Sequence, residues 1–161
     1  MEVYIRCETS TELLALETKA FAAFNGAAAS TGCTVRISQE PTFLEMKHNS
    51  TLVDRYSVYM KDVGNVFQDP AEDAVASRGS TDMGNVSNVV PSIHPVFHVG
   101  CKEAYHTSEF AIQSATDDAI SSALVVAECL AMVGFDVCTD AAFLDQVKRD
   151  FQADNNGNIL K

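Results

Sequence analysis

Three of the four histidines lie between Gly79 and Phe110, in GSTDMGNVSNVVPSIHPVFHVGCKEAYHTSEF. Imidazole is the side chain best suited to hold a metal or move a proton near neutral pH. His106 stands in Tyr-His-Thr-Ser-Glu-Phe, a loop-to-helix junction. Thr107 or Ser108 can cap the helix, and Glu109 falls in its first turn, near the positive end of the dipole. Such a rigid mount suits a metal ligand, with Glu109 either orienting the imidazole or simply favouring the helix N-terminus. On spacing alone, the plainer reading is a polar surface histidine beside a cap.

His94 and His98 are separated by Pro95, so they are no helical pair; in an extended segment they share one face, flanking Val96. With Cys101, His106 and Asp82 they could compose a zinc shell. Structural zinc sites, however, use paired, closely spaced ligands, and only His94–His98 comes near that. The spacing favours strand histidines, each with one polar partner. Gly79-Ser80-Thr81-Asp82 gathers hydroxyls, backbone N–H groups and a carboxylate in one turn, which can nest a substrate carboxylate. The same tetrad also occurs in ordinary loops. Gly84-Asn85 is a further turn signal. Cys101 lies five residues before His106, but no third member of a nucleophilic triad suggests itself, so it reads as a small half-buried thiol.

The elements that must position these residues alternate in type. Residues 2–7 alternate as a strand, with Val3 and Ile5 on one face. Thr9 and Glu12 form a capping box, and a helix follows to about Ser30 with Leu13, Leu16, Ala20, Phe24 and Ala27 on one stripe and Gly32 as its stop. Residues 34–46 read as an extended segment, and Pro41 makes it an edge strand or a strand that bends away. Asn49 caps a helix over 50–63, with Leu52, Tyr56, Tyr59 and Val63 on one side and Gly64 at its end. Residues 65–78 read as a surface loop. A long helix over 111–133 stops at Gly134. Thr139 or Asp140 opens a last helix that buries Phe143, Leu144, Val147 and Phe151 ahead of a frayed polar tail.

The net charge is −11 and the composition is 47% apolar. That acidity argues against nucleic acid and against an anionic membrane surface, since both need clustered Lys and Arg. No apolar run looks long enough to span a bilayer, and no signal peptide is expected. Five cysteines without C-x-x-C spacing indicate a reduced, cytoplasmic protein.

STDMGNVSNVVPSIHP followed by HTSEF resembles the C-terminal part of the M-twenty zinc metallopeptidases and amidohydrolases, the family of aminoacylases, carboxypeptidase G and p-aminobenzoyl-glutamate hydrolase. It is most similar to the subgroup of peptidase M-twenty domain-containing protein 2, which implies dipeptides with a basic C-terminal residue as substrates. The segment EVYIRCETSTELLALETKAFAAFNGAAASTGCTV is similar to the end of the family's lid, and NSTLVDRY with the final helices to the return into the catalytic domain. The resemblance therefore covers nearly the whole chain.

It implies an α/β fold: half of an α/β lid or dimerisation domain in residues 1–42, and the last strands and helices of the catalytic domain in 43–161. It also implies that His106 is the last metal-binding histidine, for zinc, and that Gly79, Ser80, Thr81 and Asp82 line the cleft for a small dipeptide or N-acyl amino acid. A homo-oligomer formed through the lid is implied as well. The family's other metal ligands and its general base lie upstream of the lid, outside these residues. The expectation is a truncated amidohydrolase or dipeptidase, inactive alone. The alternative is a non-catalytic dimerisation or interaction module.

Overall fold

A computed structural model describes residues 1–65 and 80–155. Six helices are formed there: α1 (Ser10–Thr31), α2 (Ser50–Asp62), α3 (Met83–Ser87), α4 (Ser108–Gln113), α5 (Asp117–Thr139) and α6 (Ala141–Asn155). Gly79 and nearly all of the expected 65–78 loop lie outside the described residues.

The expected α/β fold is not found: among the described residues there is no strand and no sheet. Residues 2–7 and 34–46 are irregular, and Val3, Tyr4, Val35 and Ile37 are exposed. The His94–His98 segment likewise joins no ladder. The alternation in these segments is real, but a strand exists only when a second backbone pairs with it. Residues 42–47 find side chains instead. Asn85 Oδ1 accepts from the Leu44 N–H at 2.8 Å, and its Nδ2 donates to the Thr42 carbonyl at 3.0 Å. Ser87 Oγ accepts from the Lys47 N–H, and Asn88 Nδ2 donates to the Glu45 carbonyl. A side-chain amide offers the same donor and acceptor as a peptide unit, so α3 takes the place of a neighbouring strand. Gly84 permits the approach: a Cβ there would lie 1.9 Å from the Leu44 carbonyl oxygen.

Helix α1 starts and stops as its residues direct. Thr9 accepts from the Glu12 N–H at 3.2 Å and donates to the Glu12 carboxylate at 3.0 Å. Gly32, at φ +68°, closes the other end as its N–H and that of Cys33 turn back to Ala29 and Ala28. No residue of α1 is fully buried.

The core lies between α2, α5 and α6. Leu52, Tyr56 and Met60 repeat at four-residue steps on α2, and Val126, Cys129 and Val133 at three- and four-residue steps on α5. Phe143 and Val147 close the cluster from α6. Burying each large apolar side chain contributes about 1.5–3 kcal/mol. Tyr59 is packed at the margin and Val63 is exposed, so the buried stripe of α2 runs through Met60 rather than toward Val63.

The expected helix over 111–133 is broken after Gln113, and its main part starts and ends six residues later than anticipated. Thr116 caps a new helix by accepting from the Ala119 N–H, which separates α4 from α5. Gly134 does not end α5. A glycine inside a helix costs about 1 kcal/mol, and the packing of Val133 and Val137 on the core offsets it. Asp140 opens α6 by accepting from the N–H groups of Ala142 and Phe143, both at 3.0 Å.

Among the described residues one helix, Asp117–Thr139, is long and apolar enough to cross a membrane by length and composition, contrary to the expectation from runs of apolar residues. It interrupts its apolar residues with Glu128 and Asp136, and one of its faces forms part of the core.

Candidate functional site

His106 precedes the cap of α4, as its sequence context indicates. Thr107 Oγ1 accepts from the Phe110 N–H at 3.2 Å and donates to the Ala104 carbonyl at 2.8 Å. The rings of Tyr105 and Phe110 meet edge to face, with centroids 5.1 Å apart. These contacts bracket His106 on both sides and leave its own side chain exposed. Its φ is +66°, and it is the one non-glycine residue with positive φ in the described chain. Histidine tolerates this region better than most residues, yet the conformation is uncommon and bends the backbone sharply.

The proposed cleft turn is partly described. Ser80 and Asp82 are exposed and Thr81 is half-buried. Thr81 Oγ1 accepts from the Met83 N–H, and the Thr81 and Asp82 carbonyls accept from Gly84 and Asn85. Asp82 occupies the cap position of α3 without using its carboxylate there. The backbone of the turn is thus committed to starting α3, while the Asp82 carboxylate faces solvent.

The structure does not gather these residues into a metal shell. Among the described residues, no three His, Cys, Asp or Glu side chains form a group that could hold a metal ion. The His94 backbone N–H donates to His48 Nδ1 at 3.4 Å, 46 residues earlier, and His98 Nδ1 accepts locally from the Gly100 N–H at 2.9 Å. Cys101 is half-buried, as its sequence context indicates. The zinc implied by the family resemblance therefore does not fit the described residues as a complete donor set.

His48, Glu45 and the Asn85–Asn88 pair have roles that residue spacing alone did not disclose. Partial desolvation, and then the charge of His94, lower the pKa of His48. Partial burial works against ionisation of Glu45, but bonds from Ser10 outweigh it and hold the carboxyl below its ordinary value. The three-residue spacing of Asn85 and Asn88 was the available signal, since it places two amides on one helical face. The recess that His48, Asn49, Ser87 and Ser92 help to line has a volume of about 10 Å³, room for about one water and no dipeptide.

No protein-family model matches the chain. It is similar to two curated proteins over 152 residues, 92% of its length. These matches make it a homologue of part of a peptidase. The relatives are the Xaa-Arg dipeptidase of Mus musculus, at 38% identity, and that of Homo sapiens, at 34%. The matched region is 35% of the mouse protein and 34% of the human one, so the chain spans about a third of the length of these relatives.

Proposed function

We propose that this chain is the lid-and-C-terminal portion of a metal-dependent dipeptidase acting on Xaa-Arg dipeptides, and that it is inactive alone. The observation that carries this reading is the 38% identity over 152 residues to an Xaa-Arg dipeptidase. In this reading residues 1–42 belong to the lid and 43–161 to the catalytic domain. His106 contributes one ligand, for zinc, to a centre whose other donors lie outside the described residues. The turn at Ser80, Thr81 and Asp82 lines the cleft, where the free Asp82 carboxylate faces substrate. The Thr107 cap and the Tyr105–Phe110 contact on either side of His106 support its assignment, because they fix the backbone that carries the imidazole. A cytoplasmic location belongs to this reading and is motivated by five cysteines without C-x-x-C spacing.

Co-expression tests the reading. The chain is produced with the remaining two thirds of the mouse relative, and arginine release from an Xaa-Arg dipeptide is measured with zinc present. The expected result is no release by the chain alone, release by the pair, and loss of release with His106→Ala. Hydrolysis by the chain alone would overturn the claim of inactivity. An unchanged rate with His106→Ala would remove the histidine from the site.

A second reading, a non-catalytic interaction module that forms homo-oligomers, is favoured by one observation. Ile120, Leu124 and Phe135 are 49%, 65% and 60% exposed on α5, at spacings that place them along one stripe. In this reading Leu124→Lys with Phe135→Lys lowers the mass measured by light scattering. An unchanged mass would sink it.

A further inference from the structure

Helix α1 is attached to the rest of the molecule in an unusual way. It buries no residue fully, whereas α2, α5 and α6 pack on one another. Its 22 residues rise about 33 Å, and the chain then returns alongside it. Gln39 reaches Glu17 midway along this return. The return brings Glu45 back to the start of the helix, where its carboxylate accepts from both the N–H and the hydroxyl of Ser10. Ser10 is the first residue of α1, and the N–H groups of a first turn have no partner within the helix. A carboxylate there also complements the positive end of the dipole. Among the described residues, these are the hydrogen bonds that join α1 to the chain beyond Thr42.

The same residue is held from its other side. The Glu45 carbonyl accepts from Asn88 Nδ2 at 2.9 Å, and that amide also reaches the Gly84 carbonyl. The neighbouring Leu44 and Lys47 N–H groups are bound by Asn85 and Ser87. The main chain at Glu45 therefore belongs to α3, and its side chain belongs to α1.

We propose that Glu45 is the pivot that sets the orientation of α1 and its return segment against the α2–α5–α6 core. The Asn88 contact fixes the pivot point and the Ser10 contact fixes the angle. This inference is independent of the catalytic reading. The half-buried stripe of α1, with Leu13, Phe21 and Phe24, does not join the α2–α5–α6 cluster, so the angle against that core depends on this polar contact.

Ser10→Pro isolates the contact. Proline is favoured at the first helical position and lacks the N–H, and the substitution also removes the hydroxyl. Thr9, at φ −120° and ψ 151°, already has the extended conformation that a residue before proline requires. Spin labels on the exposed Cys33 and Cys138, with Cys7 and Cys101 replaced by serine, report the distance between the end of α1 and the end of α5. The expected result is one narrow distance distribution in the parent and a distribution at least twice as wide in Ser10→Pro and in Glu45→Ala. Helix content by circular dichroism is expected to be unchanged. Glu45→Gln, which keeps an acceptor, is expected to fall between. Parent-like widths in both Ser10→Pro and Glu45→Ala would overturn the proposal. A broad distribution in the parent itself would do the same.

Discussion

Asn49 donates through its side-chain amide to the backbone carbonyl of Val147, 3.0 Å away and 98 residues along the chain. Its Oδ1 simultaneously accepts from the Leu52 N–H, and its own N–H is bound by the Ser92 carbonyl. One buried residue thereby starts α2, docks α6 and anchors the segment leading to His94. Asn49→Ala removes the cap, worth about 1 kcal/mol, and the amide hydrogen bond to α6, worth about 0.5–1.5 kcal/mol more. Asn49→Asp keeps the cap and loses the donor, so it is expected to fall between. Urea denaturation checks the order: parent, then aspartate, then alanine.

Asp136 binds Arg55 and the Tyr59 hydroxyl through the same oxygen, both at 2.5 Å. The Tyr59 bond, opposed by partial desolvation and aided by Arg55, holds the Asp136 carboxyl below its ordinary value. A folded-state pKa below the unfolded one means stability that is complete above the unfolded value, about 4. That stability is lost as pH falls through the folded value. Asp136→Asn is expected to cost about 1 kcal/mol or less at neutral pH and to flatten the acid side of the stability profile. Thermal melts between neutral pH and pH 3 would show the two profiles converging at the acid end. Parallel profiles would count against this role.

Gly84 allows α3 to lie on the backbone of residues 42–47. Gly84→Ala places a methyl group where the Leu44 carbonyl oxygen stands, and backbone cannot rotate away as a flexible side chain would. The loss is expected to reach about 3 kcal/mol, the upper range for overpacking. Hydrogen exchange at the Leu44 and Lys47 amides is expected to accelerate before that of the α5 amides. Equal acceleration at both would mean that the joint is not a local feature.

His106 separates a backbone requirement from a side-chain role. At φ +66°, His106→Gly relieves the conformation, while His106→Val strains it by about 1–2 kcal/mol. The melting midpoint is expected to hold with glycine and drop with valine. In the co-expressed pair, both variants are expected to lose arginine release. Loss of release in the stable glycine variant would assign the loss to the missing imidazole rather than to misfolding.

The helix signals in this chain were legible because they are local. Thr9, Gly32, Asn49 and Asp140 satisfy backbone groups within four residues, and each functions in the structure as its residue type indicates. The Thr107 cap beside His106 is local in the same sense. Gly134 misled, because a helix stop and a tolerated interior glycine look alike until packing on either side is known. The strands misled more thoroughly: alternation in residues 2–7 and 34–46 describes a surface able to pair and says nothing of whether a partner is present.

By itself, the sequence determined where α1, α2 and α6 begin, which residues of α2 and α6 form most of the buried stripes, and that His106 stands at a helix entrance. These depend on contacts within a few residues, whose geometry the chain cannot avoid. Only the tertiary structure decided that residues 42–47 would be bound by Asn85, Ser87 and Asn88 rather than by a strand. It also decided that Glu45 would meet Ser10, 35 residues earlier, and that the His94 N–H would meet His48. Those outcomes depend on which distant side chain packing brings beside an unpaired N–H or carbonyl, and spacing along the chain does not encode that.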